Sequence, residues 1–331
     1  MKIAIVRLSS LGDIILGMAS LQFIRRHLPG CAITWVADKR FADILDHQPD
    51  IHQLIKLDLK GLKKQGSLSG LSREYRNLAS AGPFDVVIDL HGMIKSAITA
   101  RILGGTRHGF DRSVIKEPLS ALLYQQTCTV PLNLPAACRY TALVAQSLGF
   151  PFQPGDQDDI SPFLFAQDGD RAATDSFFAP ERRTVIFVPG TSAGYKNYPP
   201  DRFARLATML GENILICHGS EAERQTADMI AGQAANVRLL PRLTLNQLKA
   251  VVARADLVIG GDTGPTHMAW GCGTPSITLF GATPVCIRPT RLNRVIATAT
   301  PVNLRRHDSS DTSVRDIPED EIVSLARELL N

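Results

Sequence analysis

Leu257-Val258-Ile259-Gly260-Gly261-Asp262-Thr263-Gly264-Pro265-Thr266-His267 runs from an apolar, β-branched strand through a glycine-rich turn into a helix-like stretch. About 250 positions earlier, Ile3-Ala4-Ile5-Val6-Arg7-Leu8-Ser9-Ser10-Leu11-Gly12-Asp13 repeats the design. Each turn carries small residues and one carboxylate. In an open α/β sheet such turns are where ligands bind, because the following helix offers unpaired N–H groups and the positive end of its dipole. Two of them, one in each half of the chain, predict an α/β protein of two Rossmann-like domains, their parallel sheets facing across a cleft.

The rest of the chain alternates in the same way. Strand-like runs near residues 3–7, 32–37, 51–57, 85–90 and 106–110 are separated by helix-like ones near 14–27, 71–79, 93–103, 120–125 and 136–148. Residues 60–70 are basic and contain Gly and Ser, and read as a loop. Between 149 and 182, Pro151, Pro154, Gly155 and Pro162 break the periodicity, which marks the interdomain connection. Strands then return at 184–188, 214–217, 237–240, 257–259 and 276–280, with helices between them. A terminal helix spans about 317–330, with Asp316 as its N-cap.

With 331 residues, 44% of them hydrophobic and 21% charged, the composition is that of a globular protein with two ordinary cores. The opening strand is interrupted by charge, unlike a signal peptide, so a cytoplasmic location is expected. The net charge of +4 fits an acidic ligand or an anionic membrane surface. Six cysteines without CxxC spacing are expected to stay reduced and mostly buried. The absence of GxGxxG after the first strand speaks against a dinucleotide oxidoreductase. No tight grouping of His, Cys and carboxylates is visible, so neither a metal nor a cofactor is expected.

Asp13 has two readings. Beside Ser10 and Gly12, whose backbone admits a ligand closely, it is placed to act as a general base; as an Asp at a helix start it also suits a cap. In residues 260–267, Gly264 and the hydroxyls of Thr263 and Thr266 form a turn suited to a diphosphate, with Pro265 at the helix start. His267 either bonds that phosphate or merely sits in the first helical turn. Lys196 lies in Pro189-Gly190-Thr191-Ser192-Ala193-Gly194-Tyr195-Lys196, a loop leaving the first strand of the second half. There it can neutralise a departing phosphate, or it can be a solvated surface lysine. Lys60, Lys63, Lys64, Arg73 and Arg76 form one basic group, and Lys95, Arg101, Arg107, His108, Arg112 and Lys116 another. They read as solvated faces or as a surface for a polyanionic acceptor or membrane. Nucleic acid is disfavoured, since no aromatics interleave with the charges.

On these residues, together with Asp89-Leu90-His91-Gly92-Met93-Ile94-Lys95, Arg107-His108-Gly109-Phe110-Asp111 and Lys116-Glu117-Pro118-Leu119, the chain resembles the lipopolysaccharide heptosyltransferases of glycosyltransferase family 9. The segment from 89 to 119 is similar to the type I enzymes. The Lys196 loop is nearer the Pro-Gly…Gly…Lys layout of type II. The resemblance implies a GT-B fold and inverting, metal-independent transfer of heptose from ADP-heptose to the Kdo residue of Kdo-lipid A. It implies Asp13 as the base, with Thr191, Ser192, Lys196, Thr263, Gly264 and His267 on the donor phosphates. Asp262 would lie by the heptose hydroxyls and Glu223 by the ribose, and Lys60, Lys63, Lys64, Lys95 and Lys116 on the acceptor. Domain limits of 1–165 for the acceptor and 166–315 for the nucleotide sugar follow. The helix at 316–331 could pack back on the first domain. Peripheral contact with the cytoplasmic face of the inner membrane is implied as well. The alternatives are a family 9 transferase of other sugar or acceptor choice, type II included, or a non-catalytic binder of sugar nucleotides or anionic lipid.

Overall fold

A computed structural model describes residues 1–64, 66–178, 181–304 and 308–331. The chain divides into two compact units, Met1–Ile160 and Ser161–Asn331.

The first unit holds β1 (Lys2–Val6), β2 (Ala32–Asp38), β3 (Gln53–Leu57), β4 (Val86–Asp89), β5 (Thr106–Phe110) and β6 (Gln126–Cys128), all parallel, in the order β3-β2-β1-β4-β5-β6. The second holds β7 (Thr184–Val188), β8 (Asn213–Ile216), β9 (Val237–Leu239), β10 (Leu257–Gly261), β11 (Ser276–Phe280) and β12 (Asn293–Ala297). Its order is β12-β11-β10-β7-β8-β9, again all parallel. Both sheets therefore follow the doubly wound Rossmann order 3-2-1-4-5-6. In each, the strand order reverses between the first and fourth strands, at β1/β4 and at β7/β10. Ligands bind beyond the carboxyl ends of the strands at that reversal.

The central strands read as unbroken apolar runs because helices cover both of their faces. Ile3, Ala4, Ile5 and Val6 of β1 are wholly buried, as are Leu257, Val258 and Ile259 of β10. Gly149, at φ +75°, ends the helix Ala136–Leu148 in the left-handed region, which favours glycine.

Several expectations are corrected here. Two edge strands escaped the sequence reading, β6 with three residues and β12, whose Asn293 and Arg294 dilute its apolar run. Residues 60–70 are not one loop: a helix Leu59–Lys64 forms, and Asp58 accepts from the Gly61 amide at 2.9 Å. The units part at 160/161 rather than 165/166, because the Phe163 and Leu164 amides donate to the Gly271 carbonyl and the Phe163 ring packs edge-on to Trp270. The terminal helix is Glu319–Leu330, and Pro318, not Asp316, precedes it. It packs within the second unit, where Ile322, Val323 and Ala326 join the core and Glu319 pairs with Arg202 and Arg205 of the helix Pro200–Leu210. None of the six cysteines forms a disulfide, and four of them are buried. No helix among the described residues is long and apolar enough to cross a membrane.

Candidate active site

In the first unit the β1 turn leads into the helix Leu11–Met18, whose N-cap is Ser10. Asp13 stands at the third helical position and uses both carboxylate oxygens. Oδ2 accepts from the Ser10 amide (3.1 Å) and hydroxyl (2.8 Å), which completes a capping box. Oδ1 meets the Arg7 guanidinium at 2.7 Å and accepts from the Tyr140 hydroxyl at 2.7 Å. Capping and chemistry are thus compatible in one residue. Burial works to raise the Asp13 pKa, but Arg7, Tyr140 and Ser10 outweigh it and hold the group at about 2. About a third of the side chain (32%) stays open to solvent.

Arg7 is itself buried. It donates to the Leu90 carbonyl at 2.6 Å, and its guanidinium lies 4.8 Å from the centre of the Tyr140 ring. The sequence reading missed both partners. Arg7 was visible as a charge ending an apolar strand, whereas Tyr140 sits in a distant helix and carries no local signal. A Tyr140→Phe variant should keep the ring over Arg7 and remove one donor from Asp13. The Asp13 pKa should then rise, as read by carboxyl NMR titration; an unchanged titration would remove Tyr140 from this network.

Across the reversal, the β4 turn supplies Asp89 and His91. Asp89 is fully buried and accepts from Ser96, Tyr124 and the amides of His91 and Gly92, so it shapes the turn. Gly92 sits at φ +69°, and a Cβ there would lie 2.9 Å from Ile115, so the segment after β5 packs directly on this turn. His91 Nδ1 accepts from the Leu8 amide, which leaves the proton on Nε2. Burial, with Arg7 and Lys95 nearby, lowers its pKa to about 3, so the ring is neutral.

The basic residues follow from topology. In a parallel sheet every strand-to-helix turn emerges at one edge. Lys60 and Lys64 follow β3, Lys95 follows β4 and Lys116 follows β5, so all share the Asp13 edge, and all are exposed. The Lys63 side chain lies outside the described residues.

The second unit repeats the plan at β7/β10. Asp262 Oδ2 pairs with Lys196 Nζ at 2.6 Å, and Oδ1 lies 3.1 Å from His267 Nε2 and 3.1 Å from Cys286 Sγ. Burial pushes the Asp262 pKa up, but His267 and Lys196 hold it well below the usual carboxylate range. Burial likewise opposes the charge on Lys196, and Asp262 more than restores it. Lys196 is therefore no solvated surface lysine. Asp262, His267 and Cys286 also correct the expectation that no metal-ligand grouping exists, since their donor atoms lie within 4.8 Å of one another. The sequence hid this because Cys286 arrives from the turn after β11. A cation there would have to face the Lys196 ammonium.

Thr263 is the N-cap of the helix Gly264–Cys272, but its side chain does not cap it. Gly264 and His267 are buried in the first turn. The buried Thr266 hydroxyl and His267 Nδ1 have no hydrogen-bond partner among the described residues. Thr191 turns inward, its hydroxyl within reach of the Ala193 carbonyl (2.8 Å) and Asn197 (2.7 Å), so it orders the loop while Ser192 is exposed. Glu223, in the first turn of the helix Glu221–Ala231, accepts from the Gly219 amide at 2.6 Å. A Cβ on Gly190 would come within 2.5 Å of Glu223 Cγ, so only glycine lets this carboxylate lie over the β7 turn. Alongside is a surface cavity of about 340 Å³, lined in part by Pro189, Asn197, Tyr198 and Thr226.

Comparison with known proteins bears on the family and the fold. The profile of Glycosyltransferase family 9 (heptosyltransferase) matches residues 75–311. Lipopolysaccharide heptosyltransferase 1 of Campylobacter coli is 32% identical over 345 aligned positions, covering 99% of each chain. That of Pseudomonas aeruginosa is 30% identical, covering 86% of this chain and 79% of its own. In fold, the chain is similar to the E. coli heptosyltransferase WaaC with ADP-2-deoxy-2-fluoro heptose, with TM-score 0.74, 24% identity and 99% of both chains covered. It is also similar to a family 9 glycosyl transferase from Veillonella parvula, with TM-score 0.83, 22% identity and coverage of 99% and 97%. Two doubly wound domains of this order make up a GT-B fold. With its charged groups gathered at both strand reversals, the chain belongs to glycosyltransferase family 9, the heptosyltransferases.

Proposed function

We propose that this protein is an inverting heptosyltransferase of type I, moving heptose from ADP-L-glycero-β-D-manno-heptose to the Kdo residue of Kdo-lipid A in inner-core lipopolysaccharide synthesis. The observation that carries the reading is the pair of charged centres at the two reversals: an ionised Asp13 in one unit and a Lys196–Asp262–His267 network at a helix start in the other. The names of the sequence relatives support the acceptor chemistry, and the nucleotide sugar named with the WaaC structure supports the donor.

In this reading the second unit binds the donor. The amides at Gly264 and the Thr263 hydroxyl meet the diphosphate, with His267 behind them. Lys196 supplies positive charge as ADP leaves, so the step calls on no metal. Ser192 adds a hydroxyl, Thr191 keeps the loop in shape, Glu223 binds the ribose and Asp262 faces the heptose. The first unit binds the acceptor, with Ser10 and Gly12 at the reacting hydroxyl and Lys60, Lys63, Lys64, Lys95 and Lys116 on its anionic groups. Asp13 takes the hydroxyl proton as the acceptor oxygen attacks the anomeric carbon from the face opposite ADP. Held at about 2, Asp13 is a weak base. It therefore accepts the proton late, once the forming C–O bond has made the hydroxyl acidic. A lipid acceptor places the work at the cytoplasmic face of the inner membrane, with peripheral contact.

The test is nucleotide release with ADP-heptose, ADP-mannose and UDP-sugars, each offered with Kdo-lipid A and with an already heptosylated acceptor. Release is expected only with ADP-heptose and Kdo-lipid A. Preference for the heptosylated acceptor would make the protein a type II enzyme, and no turnover with any pair would leave a binding protein.

A further inference from the structure

We propose that the surface formed by the helix Ile94–Leu103 and the 3₁₀ segment Pro118–Leu123 seats the protein on an anionic phospholipid bilayer by inserting leucine side chains. The inference deepens the reading above by naming the face and the mode of membrane contact. It relies on that reading only for the view that the acceptor is a lipid.

Leu122 (78% exposed) and Leu119 (66%) are the most exposed large apolar side chains among the described residues. A 3₁₀ turn has three residues, so positions 119 and 122 project on the same side. Beneath them, Ser120 is wholly buried, and its hydroxyl donates to the Glu117 carbonyl at 2.8 Å. The segment is thus anchored from below with its leucines outward. Glu117 also accepts from the Ile94 amide at 2.8 Å, which fastens the segment to the start of the neighbouring helix. On that helix Ile94, Ile98 and Arg101 stand at i, i+4 and i+7, on one face, and both isoleucines are exposed.

Charge identifies the occupant. Lys95, Arg101, Arg112 and Lys116 are all exposed around these apolar groups. The acids among them are tied to backbone amides: Glu117 to Ile94, and Asp111 to Ser113 at 2.9 Å. An apolar tip ringed by cations meets its complement where acyl chains lie beneath anionic headgroups. The face also adjoins the reacting edge, since Ile115 packs on Gly92 in the turn that follows β4.

The test is flotation with vesicles of phosphatidylethanolamine and phosphatidylglycerol, against vesicles of phosphatidylcholine alone, without donor or acceptor. The parent protein should float with the anionic vesicles, less so in high salt, and only weakly with phosphatidylcholine. Leu119→Glu/Leu122→Glu should lower partition by roughly tenfold or more. Because both side chains already face solvent, the variant should melt at the parent temperature and turn over a deacylated, water-soluble acceptor at the parent rate. Equal flotation of parent and variant would overturn the proposal. So would self-association without lipid that the variant abolishes while the parent fails to float, which would make this face a contact between copies. Flotation that follows the prediction in a protein without heptosyl transfer would leave the lipid surface standing and fail only the catalytic reading.

Discussion

Asp13→Asn is expected to lower kcat by about 10²–10⁴ while ADP binding stays close to that of the parent, the loss usual for a positioned general base. Asparagine keeps an acceptor for the Ser10 amide, so the helix cap survives. It cannot take a proton, and it withdraws the anion opposite Arg7. Arg7, only 6% exposed, would then rely on the Leu90 carbonyl. Some loss of stability follows, so the melting temperature must be read beside the rate. A variant that turns over normally would reduce Asp13 to its capping role.

The same network fixes the sign of the pH response. A carboxylate held at about 2 in the fold and near the ordinary value when unfolded contributes stability that is fully present above about pH 4. That contribution is lost as the pH falls towards 2. Asp13 is therefore ionised throughout the physiological range, and a fall in kcat/KM between pH 5 and 7 should persist unchanged in Tyr140→Phe, because it belongs to another group.

Lys196→Ala is expected to weaken ADP binding roughly 10–100-fold, the worth of one charge-assisted contact to phosphate, and to slow turnover as well. Calorimetry with ADP and single-turnover kinetics with the nucleotide sugar separate the two effects. Loss of rate alone would limit Lys196 to the departing group, and loss of neither would remove it from the site. The variant leaves Asp262 with His267 and Cys286 as its side-chain partners. A modest fall in stability should therefore accompany the weaker binding.

How legible all this was follows from what is local. The central strands stood out because a strand covered by helices on both faces must be apolar throughout, and the turns at Asp13 and Asp262 are short in sequence. β6 and β12 did not stand out, since an edge strand needs little apolar surface. Lys196 and Asp262 could each be singled out by position after a strand, yet nothing local shows that they pair, because 66 residues separate them. Tyr140 and Asp13 are 127 apart and meet only once the sheet has formed. The reversal of strand order, read from the folded sheets, is what makes such distant groups neighbours. Cys286 was invisible for the same reason.

The Lys196–Asp262 pair has one more consequence. On the proposed reading, in which Lys196 meets the donor phosphates, the Asp262 carboxylate is already its counter-ion, so an arriving diphosphate gains only the difference between itself and that carboxylate. That competition would hold spent nucleotide more loosely than an unpaired lysine would, which favours quick discharge over tight retention.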